Sequence, residues 1–354
     1  MSRPSIKDVA RQAGCSVSTV SLVVNGHGNV SDGTRARVMK VVHDLGYHAT
    51  RAARGLASRT SGNIGFILRD DHFSQAEPFY TRVFLGAEFA AREHNFYVLL
   101  ATVGHQAADR KNLPRFLLER NVDGVIVAGK VPHNFLTQVE SFGIPIVLVD
   151  FEVKRKRYPS ILIDNRPGAR AAVEHLIACG HRDIAFIGGD IEHPSLAERL
   201  HGYKDALTDH GISVQDQLID TREPDSRIPN GASAMGRILE QHPRPTAVFA
   251  ANDAMAIGCI QQIREHGFTI PGDIAVVGFD DVEMSSLMLP RLTTLRVFKE
   301  ELGRQAVNTL VEMIHHGENV VVTKHLPVEL IVRDSSCTPV PVKDLTAAQD
   351  RITR

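Results

Sequence analysis

No stretch of this 354-residue chain reaches the roughly 18 consecutive apolar residues of a membrane span. The opening MSRPSIKDVA has no apolar core of the secretory kind, so export is not expected. Cysteine is scarce. Cys15, Cys179, Cys259 and Cys337 are far apart and unpatterned, which argues against a zinc site and fits a reducing cytoplasm. The 17 histidines include no HExxH and no Cys/His ligand spacing, and the adjacent His315 and His316 read as a solvated helix end. No Walker P-loop, no GxGxxG after a strand and no GxSxG elbow is present, so neither enzymatic activity nor a bound cofactor is expected. Glutamate is absent from the first 62 residues.

What is there instead is a charge asymmetry. Residues 1–62 carry nine Lys/Arg against three acids, a net of +6, while the remainder carries 31 basic and 38 acidic residues, a net of −7. A small basic head on a mildly acidic body suggests a polyanion-binding module joined to something else. The length allows two or three domains, and 43% hydrophobic with 23% charged residues is an ordinary soluble composition.

In the head, Ile6, Val9, Ala10 and Ala13 share one helix face, with Ser5 and Asp8 as a capping-box start and Gly14 as the stop. Ser16 can cap a second helix with Val20, Val23 and Val24 inward. Ser31 can cap a third, with Val38, Val41, Val42 and Leu45 inward and Gly46 at its end. Two short helices around a glycine turn, braced by a third, are a helix-turn-helix layout. If Val20, Val23 and Val24 face the core, then Ser18, Leu22 and Asn25 face away, and Val17 lies at the exposed helix start. Such a helix enters the major groove of DNA, where Leu22 would press on a thymine methyl. Ser16, Thr19, Ser21, Asn25, Asn29, Ser31 and Thr34, with Lys7, suit phosphate oxygens.

The run SIKDVARQAGCSVSTVSLVVNG…VSDGTRARVMKVVHDLGY resembles the DNA-binding head of the lactose-repressor (LacI/GalR) family of bacterial transcription regulators. The resemblance implies that Val17, Ser18 and Leu22 read the major groove. The family usually carries a basic residue at Leu22's position, so a different operator base is expected there. The following TRAARGLASRTSG is basic and helix-capable, although Gly55 costs about 1 kcal/mol relative to Ala. It resembles the family's hinge helix, which implies that Leu56 wedges into the minor groove and that Ala53 joins it among the base-reading residues.

From residue 63, short apolar runs (63–68, 96–102, 124–129, 145–150, 183–189, 246–253 and 273–281) alternate with helical stretches such as 80–93 and 166–179, the pattern of a parallel α/β sheet. Two such series suggest two lobes. Ligands of these sheets bind beyond the carboxyl ends of the strands. Those ends carry Asp70, Asp71, Asp150, Asn252, Asp253, Asp280 and Asp281, which suits a hydroxyl-rich ligand such as a sugar or nucleoside. Arg199 can add forked donors, and Phe79 is among the aromatics that could stack on a sugar. Asp and Asn after a strand also cap the next helix, so both roles stay open.

HLIACGHRDIAFIGG, PTAVFAANDAMAIG, DIAVVGFDD and PRLTTL resemble the family's effector domain, which is similar to periplasmic sugar-binding proteins. The resemblance implies three interlobe crossings, near 162, 291 and 325. The expected organisation is a DNA-binding domain over 1–49, a hinge over 50–62, one lobe from 63–162 plus 292–324, another from 163–291 plus 325–338, and a tail over 339–354. The tail lacks the leucine heptads of a tetramerising helix, which favours a homodimer. The basic run VKRKR (153–157) reads as a solvated loop. The expected function is a cytoplasmic regulator, of repressor type, that binds a double-stranded DNA operator and whose affinity is set by a small, carbohydrate-like effector. The alternatives are control by a partner protein, as in the catabolite-control branch, and a solute-binding protein without DNA function.

Overall fold

The computed structural model describes residues 4–24, 28, 30–47, 60–70, 79–104, 112–153, 158–241, 244–317 and 322–337. Expectations for Asn25, Asn29, Ala53, Leu56, Asp71, residues 154–157 of the basic run and the tail lie outside them. The chain divides into a small N-terminal unit and a large unit that begins at Ile64.

The small unit holds α1 (Ile6–Ala13), α2 (Val17–Val24) and α3 (Asp32–Asp44). Ser5 and Asp8 form the expected capping box, and Gly14 ends α1 at φ +62°, a left-handed conformation that favours glycine. Ser16 Oγ accepts from Thr19 N at 3.1 Å and so caps α2. Val9, Ala10, Ala13, Val20, Val23, Val38, Val41 and Tyr47 make a single small core. Arg37 of α3 donates to the Ala13 carbonyl at 2.9 Å, which satisfies one of the orphan acceptors at the end of α1. Ser31 corrects one expectation. It precedes α3, but its hydroxyl donates to Thr34 Oγ1 at 3.0 Å and caps no backbone amide.

Among the described residues the large unit is built on two helix-flanked sheets and a separate two-stranded one. The first includes β1 (Asn63–Arg69), β2 (Tyr97–Val103), β3 (Gly124–Ala128), β4 (Ile146–Val149), β5 (Ser160–Ile163) and β11 (Thr323–Leu326), in the order β11-β5-β4-β3-β1-β2. The second includes β6 (Ile184–Ile187), β7 (Ile219–Asp220), β8 (Ala247–Ala250) and β9 (Ala275–Val277), all parallel, in the order β7-β6-β8-β9. The helices of this unit are α4 (Phe79–Glu93), α5 (Arg115–Leu118), α6 (His133–Glu140), α7 (Asn165–Ala178), α8 (Pro194–Asp209), α9 (Ile228–Leu239), α10 (Asp253–Glu265), α11 (Glu283–Leu287) and α12 (Lys299–His316).

Alternation along the second sheet places Phe186 and Phe249 on the face covered by α7 and α8, and Ile187, Val248 and Ala250 on the face covered by α9 and α10. Beside the first sheet, α4 and α12 approach backbone to backbone. A Cβ on Gly86 would collide with the Glu300 carbonyl, and one on Gly303 with the Val83 carbonyl. His315 and His316 end α12 exposed, as expected.

The chain leaves the first sheet after Ile163 and returns to it through β10 (Thr294–Val297), which pairs antiparallel with β12 (Val328–Ile331). It leaves again after Leu326. None of β5, β7, β10, β11 and β12 was among the anticipated strands: β7, β10, β11 and β12 lack a continuous apolar run, and that of β5 is only three residues long.

The cysteines require a second correction. Cys179, directly after α7, and Cys337 form a disulfide with Cα atoms 5.9 Å apart, although 158 residues separate them. Spacing along a sequence carries no signal for a pair that only the tertiary fold assembles. Cys259 is buried and Cys15 half-buried, both as free thiols.

Candidate functional site

Two surfaces carry the expected chemistry. The first is α2. Val17 and Leu22 are 41% and 42% exposed, high for large apolar side chains, and Ser18 between them is exposed. Val20 and Val23 on the opposite side are buried, so the helix is amphipathic in the predicted sense. Gly28 lies against Leu22: a Cβ there would stand 3.2 Å from Leu22 Cδ2. Gly28 sits at φ +82°, so two constraints favour glycine at that point. Lys7, Ser16 and Ser31 are exposed, and Thr19, Ser21 and Thr34 half-buried. The Ser16 and Thr19 hydroxyls lie 2.8 Å apart.

The second is a cleft of about 250 Å³ at the carboxyl ends of both sheets, room for one small ligand. From the first sheet's side it is lined by Arg69, Phe79, Tyr80, Lys130 and Asp150, and from the second's by Asp190, His193, Ser195, Arg199, Ser226, Arg227, Asn252 and Asp280, among others.

Asp150 follows β4 in the left-handed region at φ +66°. Its Oδ2 accepts from the Tyr80 hydroxyl at 2.8 Å, and its Oδ1 accepts from Ser195 Oγ at 2.7 Å, so one carboxylate ties α4 to the start of α8 across the cleft. Burial and the neighbouring Asp150 charge push the Tyr80 phenol well above its ordinary range, so it stays a donor. A second bond between the lobes runs from Lys130 Nζ to the Glu192 carbonyl at 2.7 Å. His193 caps α8, its Nδ1 accepting from Ser195 N at 3.3 Å, and burial lowers its pKa.

Arg199 is 4% exposed and held on every side. Its Nε donates to Asn165 Oδ1 at 2.8 Å, its Nη1 to the Ala251 carbonyl at 2.6 Å and its Nη2 to Asp280 Oδ1 at 3.4 Å, and its guanidinium lies 3.7 Å from the centroid of the Phe279 ring. Asp280 has φ +114° and is buried. Burial raises its pKa, while Arg199 and Lys299 pull it back. Lys299 Nζ also donates to the Asp280 carbonyl.

Asn252 serves two purposes. Its Oδ1 caps α10 by accepting from Met255 N at 2.8 Å, and its Nδ2 donates to the Ser226 carbonyl at 3.1 Å, fixing a cleft loop. Asp253 is fully buried behind the cleft. It accepts from Thr294 Oγ1, Ser285 Oγ and Val282 N, and burial followed by the Asp280 charge pushes its pKa up to about 7. Asp281 pairs with Arg333 and Arg296, next to the β10–β12 ribbon.

Of the sequence-derived ligand residues, the structure gathers Phe79, Asp150, Arg199, Asn252 and Asp280 around the cleft. Asp70 is exposed and outside the lining. Sequence reasoning missed Ser195, His193, Lys130 and Ser226. Only Ser195 carried a usable signal, as a small polar residue four before Arg199 on one helix face.

The sequence of residues 5–50 matches the model of bacterial regulatory proteins of the lacI family, and residues 173–336 match a periplasmic binding protein-like domain. Among curated relatives, Catabolite control protein A of Priestia megaterium is 33% identical over 88% of this chain and 92% of its own length. The transcriptional regulator CelR of Thermobifida fusca is 34% identical over 94% and 98%. Among solved structures, the lac repressor dimer bound to operator and an anti-inducer superposes with TM-score 0.80 at 30% identity, covering 95% of this chain and all of that one. A CelR–cellobiose complex gives 0.72 at 32% identity, covering 94% and 100%. An exposed, partly apolar helix in a basic head, followed by a two-sheet body with a polar cleft, together with these matches, makes the chain a member of the lacI family of bacterial regulatory proteins, a DNA-binding transcriptional regulator.

Proposed function

We propose that this protein is a cytoplasmic repressor whose operator affinity is set by a small hydroxylated effector, of sugar or nucleoside type, held in the cleft between the two sheets. The observation that carries the reading is the lining itself, where Asp150, Arg199, Asn252 and Asp280 converge with the Phe79 ring. Carboxylates accept from ligand hydroxyls, the guanidinium donates to them, and an aromatic face covers an apolar sugar face. Relatives point the same way: one is a ribose operon repressor, and one solved structure holds cellobiose.

In this reading Val17, Ser18 and Leu22 contact base edges, Leu22 through a thymine methyl. Lys7, Ser16, Thr19, Ser21, Asn25, Asn29, Ser31 and Thr34 hold phosphates. Ala53 and Leu56 enter the minor groove. The protein acts as a homodimer, as the lac repressor does in its operator complex. The effector shifts operator affinity by its differential affinity for two lobe arrangements. The bonds Asp150–Ser195 and Lys130–Glu192 are the contacts such a rearrangement would break or make.

Thermal-shift screening of the protein against pentoses, hexoses, disaccharides and nucleosides tests this. A ligand at 100 times its Kd stabilises by about 2.7 kcal/mol. The hit should then change operator affinity in fluorescence anisotropy on a selected, palindromic site. If no metabolite shifts either measurement and a partner protein does, control belongs to the partner, as the likeness to a catabolite control protein would suggest.

A further inference from the structure

The cysteine pair belongs to the large unit and does not line the cleft. Cys179 and Cys337 are both half-buried, within reach of small solutes, whereas Cys259 is sealed in the core. Their Cα separation of 5.9 Å is in the range a disulfide spans without moving the backbone. His175, one turn before Cys179 on α7, places Nε2 3.8 Å from Cys179 Sγ and 3.9 Å from Cys337 Sγ. The same nitrogen lies 2.8 Å from Ser336 Oγ, which is 2.8 Å from Thr293 Oγ1, and that oxygen accepts from Arg333 N at 2.8 Å. In a neutral ring protonated on Nδ1, the Nε2 lone pair accepts either from Ser336 or, in the reduced pair, from a thiol in its place. Burial lowers the His175 pKa, which favours that neutral form.

We propose that Cys179 and Cys337 are a reversible thiol–disulfide site, oxidised by peroxide and reduced by dithiols, with His175 Nε2 as the proton acceptor between the sulfurs. In the reduced pair, one thiol passes its proton to Nε2 and the thiolate attacks a peroxide oxygen. The O–O bond breaks, hydroxide leaves and takes up the proton as water, and a sulfenic acid remains. The other thiolate attacks that sulfur, the S–S bond forms, the S–O bond breaks, and the oxygen departs as a second water. Two thiols and one hydrogen peroxide thus give one disulfide and two waters. A dithiol reverses the bond by exchange.

The bond joins α7 to the segment that follows β12. That segment is already fastened to the second sheet, where Val276 N donates to the Ser335 carbonyl at 2.7 Å and Ser335 Oγ donates to the Val276 carbonyl at 2.6 Å. Oxidation therefore closes a 158-residue separation without new backbone geometry and should stabilise the large unit.

The test uses the full-length protein, reduced with dithiothreitol, freed of reductant and then treated with hydrogen peroxide. Titratable thiols in denaturant should fall from four to two. Mass spectrometry should find one peptide cross-linking Cys179 to Cys337, and dithiothreitol should restore all four thiols. The Tm of the large unit should rise by roughly 5 °C or more on oxidation, and Cys337→Ser and Cys179→Ser should each abolish that rise. His175→Gln should slow oxidation at neutral pH and steepen its dependence on pH, because the local proton acceptor is gone. An unchanged pH–rate profile would overturn the role of His175. Four thiols persisting after peroxide, or a Tm rise that survives in both serine variants, would overturn the site. So would one zinc ion per chain that is bound by the reduced protein and lost in the variants, since the three side chains would then be metal ligands.

Discussion

The proposed reading helix and the proposed effector cleft hold their side chains in opposite ways. On α2, Val17, Ser18 and Leu22 stand out from the surface, and Gly28 lies close to Leu22. In the cleft every central polar group is already bound: Asp150 by Tyr80 and Ser195, Arg199 by Asn165, Ala251 and Asp280, and Asn252 by Met255 and Ser226. A duplex brings its own rigid frame, so a reading surface needs only shape and position. A small flexible ligand brings none, so its wall must be set beforehand.

Arg199→Ala should have the largest effect. It leaves the buried Asp280 carboxylate without its ion-pair partner and should cost about 3–5 kcal/mol in chemical denaturation. Effector binding in calorimetry should weaken, while operator affinity without effector stays near wild type. The double variant with Asp280→Asn should lose less than the sum of the singles. Additive losses would mean that the two side chains act separately.

Asp253 is next. Its pKa is about 7 in the folded chain, against about 3.9 unfolded, so between those values only the folded state holds the proton. Stability should therefore fall as pH rises through that window, by about 1.4 kcal/mol per unit from this group. The half-buried His175, His181 and His193, with lowered pKa values, work in the opposite direction. The difference between wild type and Asp253→Asn isolates the aspartate, and an unchanged slope in the variant would show that it is ionised throughout.

Leu22→Arg should shift the preferred base at one symmetric pair of operator positions by about 1–3 kcal/mol and leave Tm nearly unchanged. Site selection from a randomised library measures the first and calorimetry the second. The smallest effect is expected of Ser5→Ala, which removes one hydroxyl of the capping box and should cost the head about 1 kcal/mol with no change in base preference.

The head was almost wholly legible because its signals are local: a capping box, a glycine stop and an apolar period of one helix turn all lie within ten residues. Its one error, Ser31, arose where a hydroxyl found a neighbouring side chain in place of a backbone amide. The long strands were legible for the same reason. The ribbon strands β10 and β12 were not, since their pairing joins residues more than 30 apart and neither is continuously apolar. Asp150, Arg199, Asn252 and Asp280 were legible as polar residues at strand ends or in the helix between, but their partners were not. The bond from Asp150 to Ser195 spans 45 residues and that from Arg199 to Asp280 spans 81. The cysteine pair is the extreme case of the same blindness.

The seating of Leu22 on Gly28 bears on how this regulator would discriminate in cells of changing ionic strength. Each cation on a phosphate displaces counterions, so total affinity falls steeply as salt rises. An isobutyl group against a methyl displaces none. Salt would then scale correct and incorrect sites down together, and the ratio between them at the Leu22 position would hold constant. With an arginine at that position, the same ratio would drift with the medium.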